Sequence, residues 1–305
     1  MPTDASAPRA PRASRRHPTG PIRAVHGVTL GEVRVRPNNV SGSGTPMLWW
    51  TLTARSWTPW LPVLAFVVEH ERGTLLFDTG QSPQSLTDPD FYPGGMLGWV
   101  YRRQAQFRVS DDHELTANLA ALGLAPADVS HVALSHLHQD HAGNLAPVAH
   151  ATVLASPAEL ALLGERRPEL HGVLASRILP PEVTLTPASF TPSGQAGAPD
   201  DPALSAFDEC ADVFGDGSAV LLPTPGHSPG SMSLLLRPAD ARPLLLVGDV
   251  TYDPALMARG VLTDVGDRAA QRDTADRIAR LAEALPGLVV LAAHDRAALA
   301  ALQAS

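Results

Sequence analysis

The stretch Ser135-His136-Leu137-His138-Gln139-Asp140-His141 puts three imidazoles and one carboxylate between positions 136 and 141. It directly follows Val129-Ser130-His131-Val132-Ala133-Leu134, which reads as a short buried strand feeding the cluster. On an extended or tightly turned segment, residues two apart share a side, so His136 and His138 can point the same way. Asp140 and His141 then offer donors to a neighbouring point. Neutral imidazole and carboxylate suit zinc and similar divalent ions. One histidine here would be an ordinary surface or hydrogen-bonded loop residue. Three with an aspartate, at the end of an apolar strand, form a metal-binding pattern.

Four donors cannot fill two coordination shells, and later stretches supply more. Leu221-Leu222-Pro223-Thr224-Pro225-Gly226-His227 sets His227 on a Pro/Gly-rich turn. Leu244-Leu245-Leu246-Val247-Gly248-Asp249 sets a carboxylate just past a buried run, and Leu291-Ala292-Ala293-His294 repeats the strand-then-histidine order. Singly, His227 or His294 reads as a hydrogen-bonded structural residue and Asp249 as a turn or cap. Together, each at the end of an apolar run, they make a seven-member ligand set for two ions. Such ion pairs lie about 3.5–4 Å apart when a hydroxide bridges them.

Outside the cluster, Leu61–Val68 and Thr74–Asp78 flank a polar turn and read as a β-hairpin. A helix is expected over about Asp111–Leu122, stopped at Gly123, and another near Pro157–Gly164. Ala151–Ala155, Ser218–Leu222, Ser231–Leu236, Pro243–Val247 and Leu288–Ala292 read as strands, and Asp267–Leu285 as a long helix. Residues from about Ala188 to Ser205 read as a loop or a junction between halves. Strands and helices occur in both halves. This suits an αββα sandwich, although periodicity alone leaves a doubly wound α/β fold equally open.

The 305 residues are 44% hydrophobic and 18% charged, a globular composition. A formal net charge of −8 gives no global attraction to nucleic acid or anionic lipid, so the expected partner is a small molecule. The most apolar stretch, Met47–Val68, is broken by Arg55, Pro59 and Pro62 and makes a poor membrane span. Cys210 is the sole cysteine, which excludes an intrachain disulfide, restricts any metal site to nitrogen and oxygen donors, and fits a cytoplasmic protein. Residues 1–20, with Arg9, Arg12, Arg15 and Arg16, read as a disordered basic tail, leaving 21–305 as a single domain. Trp49, Trp50, Trp57 and Trp60 are assigned to the core or to a subunit contact, and a homodimer is compatible with that.

The residues His136-Leu137-His138-Gln139-Asp140-His141, then His227, Asp249 and His294, resemble the ligand pattern of the metallo-β-lactamase superfamily. The likeness runs from about Pro21 to the C-terminus and implies the four-layer αββα sandwich. It further implies that His136, His138 and His227 hold one metal, that Asp140, His141 and His294 hold the second, and that Asp249 bridges them. Asp78 resembles the family's early aspartate, which orients the histidine loop. His138 stands where flavodiiron-type members carry glutamate, and Asp249 is the bridging aspartate that true zinc β-lactamases lack.

Within the superfamily, Thr224–Leu234 and Asp249-Val250-Thr251-Tyr252 are most similar to the N-acyl-homoserine lactonases, with Gln139 where those enzymes usually carry an aromatic residue. That resemblance implies a dinuclear hydrolase opening a lactone or ester, with Tyr252 as an oxyanion donor and Asp140 passing a proton to the leaving alkoxide. Two zinc ions are expected, and manganese, iron or cobalt suit the same donors. The alternative activity is hydrolysis of other small esters or organophosphate triesters. A non-catalytic metal-binding protein fits the intact ligand set less well.

Overall fold

The computed structural model describes residues 10–305. Eight strands build the first sheet: β1 (Arg12–Arg16), β2 (Ile22–Val35), β3 (Leu61–His70), β4 (Gly73–Phe77), β5 (Ala105–Arg108), β6 (Val129–Ala133), β7 (Thr152–Ala155) and β8 (Leu185–Pro187). Their order is β1-β2-β3-β4-β6-β7-β8, with β5 paired to the far end of β2. The second sheet has six: β9 (Thr191–Pro192), β10 (Glu209–Asp212), β11 (Ala219–Pro223), β12 (Met232–Leu236), β13 (Leu244–Leu246) and β14 (Val289–Leu291), in the order β14-β13-β12-β11-β10-β9.

The apolar runs are buried on both faces, and the period of two divides them. Along β3, Leu64, Phe66 and Val68 face the space between the sheets, while Ala65 and Val67 face the outer helices. In the second sheet Leu221, Leu234, Leu236 and Leu246 meet the first sheet, while Val220, Leu222, Leu235 and Leu245 pack outward. Leu115 and Leu119 cover one outer face, and Ile278 and Leu281 of the helix Arg268–Ala284 cover the other. Four layers follow, helix–sheet–sheet–helix, because each sheet has two apolar faces to bury.

Most expected elements appear within a residue or two. The hairpin forms as antiparallel β3 and β4. The helix before the histidine cluster begins as a 3-10 turn, Asp111–His113, and becomes α-helical only over Leu115–Leu122, ending at Gly123 with φ of 83°. The helix Arg268–Ala284 starts where Asp267 accepts from Ala269 N and Ala270 N. Inside the stretch read as a loop, Thr191–Pro192 adds an edge strand and Pro202–Ala206 a 3-10 turn.

The tail expectation needs correction where it meets described residues; its first nine positions lie outside them. Arg12–Arg16 pair antiparallel with β2, from Arg12 against Val28 to Arg16 against Ala24. Ala13 and His17 are buried, and His17 Nδ1 lies 3.0 Å from Asp240 Oδ1. A strand edge is satisfied by backbone bonds, so arginine-rich composition did not prevent pairing.

Candidate metal centre

All seven metal-type residues lie just beyond strand ends at one rim of the sandwich. The cluster 136–141 follows β6, His227 follows β11, Asp249 follows β13 and His294 follows β14. The sheets are stitched together there: Met232 N donates to Ser135 O at 2.9 Å, and Leu64 N donates to Ala293 O at 2.9 Å. Segments about a hundred and more than two hundred residues apart in sequence thereby converge.

Asp78 is the one non-glycine residue with positive φ, 62°, among the described residues. That backbone turn follows β4 and delivers the carboxylate under the histidine loop. Its Oδ1 accepts from Ser135 N at 2.7 Å, and its Oδ2 accepts from Ser135 Oγ at 2.8 Å and His141 Nδ1 at 2.8 Å. His141 therefore carries its proton on Nδ1 and turns Nε2 inward. His294 is fixed the same way, by donation from Nδ1 to Pro62 O at 2.8 Å. His138 uses Nε2 on His171 O at 3.0 Å, which directs Nδ1 toward His227 Nε2, 3.1 Å away. Gly248, with φ of 53°, lets the chain before Asp249 pass Ser135 so closely that a Cβ would lie 2.7 Å from Ser135 Oγ.

Three clusters of ligand atoms result, each within 4.8 Å internally: His136, His138 and His227; His136, His141 and Asp249; and Asp140, His141 and His294. Asp249 lies at the centre. Its Oδ1 is 3.2 Å from both His141 Nε2 and His294 Nε2, and its Oδ2 is 3.6 Å from His227 Nε2. Asp140 Oδ2 is 3.4 Å from His294 Nε2. His136 Nε2, His141 Nε2, His294 Nε2 and Asp249 Oδ1 are buried and make no hydrogen bond, so they converge without pairing. Buried polar atoms are normally satisfied. Five imidazoles and two carboxylates converging in this way fit divalent cations.

Electrostatics points the same way. Burial and the charges of His141, His138 and His227 hold His136 well below the usual histidine range. Burial likewise takes His227 down to about 3, so both rings are neutral bases. Burial opposes charge on His141 too, but Asp249, Asp78 and Asp140 outweigh it and raise that ring well above its ordinary value. His294 rises to about 10, again against burial, through Asp249 and Asp140. A site with so much buried carboxylate demands positive charge.

Tyr252 is the eighth member. Its hydroxyl donates to Asp249 Oδ2 at 3.0 Å, its ring stacks on His294 at 4.8 Å, and burial raises its phenol well above the usual range. Sequence reasoning missed Glu159. Fully buried, it accepts from Leu137 N at 2.9 Å, Gly230 N at 3.0 Å and Ser228 Oγ. It thus ties the histidine loop to the turn carrying His227. Ser156 caps this helix and also donates from Oγ to Gly230 O at 2.6 Å. The pattern Ser156-Pro157-Ala158-Glu159 announced a helix start, but nothing local announced the cross-chain bonds.

A family profile described as the metallo-beta-lactamase superfamily matches residues 58–294. The N-acyl homoserine lactonase AttM of Agrobacterium fabrum is 32% identical over 200 residues, an alignment covering 63% of this chain and 66% of AttM. The match thus spans just under two thirds of that relative. The N-acyl homoserine lactonase AiiB of the same organism is 29% identical over 283 residues, covering 90% of this chain and 94% of AiiB. Among solved structures, an N-acyl homoserine lactone hydrolase with N-hexanoyl-L-homoserine bound at its catalytic metal center superposes with a TM-score of 0.69. That superposition spans 91% of this chain and 95% of the other at 20% identity, a likeness of fold.

Proposed function

Because this chain belongs to the metallo-beta-lactamase superfamily, we propose that it is a two-metal hydrolase opening the lactone ring of N-acyl homoserine lactones. The observation that carries the chemistry is the convergence of unpaired, buried lone pairs on His136, His141, His294 and Asp249. The substrate class rests on the relatives, above all AiiB, whose likeness spans 90% of the chain.

In this reading His136, His138 and His227 hold one cation, Asp140, His141 and His294 hold the other, and Asp249 is shared. Zinc is the proposed metal, on the strength of the imidazole-rich donor set. When bound, the two cations supply a reactive nucleophile from water at neutral pH and positive charge for the carbonyl oxygen. Asp78 and Pro62 hold the tautomers of His141 and His294, so the ligating nitrogens are presented without rearrangement. Tyr252 holds its proton firmly and can donate it as a hydrogen bond to the carbonyl oxygen as charge grows there. Asp140, less buried than its neighbours, moves a proton to the departing alkoxide, leaving a hydroxy acid. One catalytic domain carries all of this. We place it in the cytoplasm, where its single thiol, Cys210, is at home.

The test pairs metal analysis of purified protein with a panel of acyl-homoserine lactones, aryl esters and phosphotriesters. Hydrolysis should favour the lactones, and His227→Ala and Asp249→Ala should lose both metal and activity. Full metal retention and activity in either variant would refute the site. A preference for triesters would replace the substrate class alone.

A further inference from the structure

Ser14, His26 and Glu69 line up across three neighbouring strands, β1, β2 and β3. Ala13, Val25 and Val68 face the space between the sheets, so the period of two turns the residue after each of them to the outer face. There His26 Nδ1 lies 2.7 Å from Ser14 Oγ, and His26 Nε2 lies 2.6 Å from Glu69 Oε1. A carboxylate can only accept, so in the neutral ring Nε2 carries the proton, and the Ser14 hydroxyl donates to Nδ1. The ring is buried, while Ser14 is exposed. A hydroxyl, a base and a carboxylate that orients the base, bonded in series, is the arrangement that makes serine nucleophilic.

The backbone register adds a second feature. His17 N donates to Arg23 O at 2.7 Å, so those residues form a hydrogen-bonded pair. Alternation along antiparallel strands then makes Ser14 and His26 a non-hydrogen-bonded pair. Side chains of such a pair stand closest together, and the Ser14 N–H points away from β2. Because β1 is the last strand of its sheet, that N–H is directed off a free edge. It lies beside its own Oγ, where negative charge develops when the hydroxyl attacks a carbonyl. Arg12 and Arg16 share the face of Ser14 and add positive charge there. The metal centre is elsewhere: Pro62, which holds His294, lies at the other end of β3, and the strand from Pro62 to Glu69 spans about 23 Å.

We propose that Ser14, His26 and Glu69 form a second nucleophilic site, which takes the acyl group of activated carboxylic esters. Ser14 Oγ bonds to the carbonyl carbon while its proton passes to His26 Nδ1, and Glu69 balances the charge on the ring. The bond from that carbon to the leaving oxygen then breaks, and the same proton goes to the departing alkoxide. The products are acyl-Ser14 and an alcohol. Water activated by the same ring attacks the acyl-serine, releasing the acid and restoring the hydroxyl. No step uses the metal centre, so the proposal does not depend on which bond is cleaved there.

The full-length, metal-loaded protein is treated with excess fluorophosphonate, which phosphonylates activated serines with loss of fluoride, and the adduct is located by peptide mass spectrometry. Ser110 is the internal control. Its Oγ lies 2.9 Å from His113 Nδ1, but among the described residues no carboxylate is bonded to the other nitrogen of that ring. The expected result is an adduct on Ser14 and none on Ser110. Labelling should be about 10²–10⁴-fold slower in His26→Gln and absent at position 14 in Ser14→Ala, with circular dichroism and bound metal unchanged. An unlabelled Ser14, or equal rates at Ser14 and Ser110, overturns the proposal whatever the variants do. So does undiminished labelling in folded His26→Gln, which would leave the three residues as a cross-strand stitch.

Discussion

Replacing Glu159 by glutamine keeps the size of the side chain and removes its charge. The carboxylate sits fully buried and accepts from Leu137 N, Gly230 N and Ser228 Oγ. In Glu159→Gln one acceptor oxygen becomes an amino group that faces a backbone N–H, leaving that donor orphaned at a cost of about 1–3 kcal/mol. The surviving bonds lose charge assistance, about 1 kcal/mol more. A loss of roughly 2–4 kcal/mol follows, which for a chain of this size lowers the melting temperature by about 3–6 °C. Because Glu159 joins the histidine loop to the His227 turn, the ligands should also lose their mutual alignment, and metal affinity should fall by about 10–100-fold. Thermal melts and competition against a chelator of known affinity measure the two effects separately. A lowered melting temperature with unchanged metal affinity would show that the turns align the ligands without Glu159. An unchanged melting temperature would refute the account of the buried charge altogether.

Tyr252→Phe should reduce kcat by about 10²–10³ with metal content unchanged, since an oxyanion donor is lost while the ring still stacks on His294; a drop smaller than tenfold would assign Tyr252 to packing. Gly248→Ala forces a Cβ against Ser135 Oγ at a φ of 53°, and metal analysis should find the ions largely lost; normal loading would refute the tight fit. His70 accepts from Arg72 N at Nδ1 and faces Asp216 and Ser218 with Nε2, and burial lowers its pKa. The folded ring resists a proton that the unfolded chain takes up below about 6.5, so this contribution is present above that pH and lost as pH falls; urea midpoints should decline with acidification, and less so in His70→Gln. Chelation should stop hydrolysis and lower the melting temperature by exposing buried carboxylates to one another, and added zinc should restore both; activity surviving exhaustive chelation would remove the two-metal mechanism.

What could be read from the chain alone was whatever depends on neighbours in sequence. The buried strands, the turn residues after them and the ligand types at 136–141, 227, 249 and 294 are local facts, because a strand's end and the spacing of side chains just beyond it are set by covalent geometry. Element boundaries followed from periodicity to within a residue or two, except near residue 111, where two aspartates and a histidine tightened the helix start into a 3-10 turn. β1 was hidden, since its pairing with β2 uses backbone groups that composition does not reveal. So were the roles of Pro62 O and Glu159. Each of these depends on where a distant segment is brought by the packing of two sheets, and only the folded chain decides which segment that is.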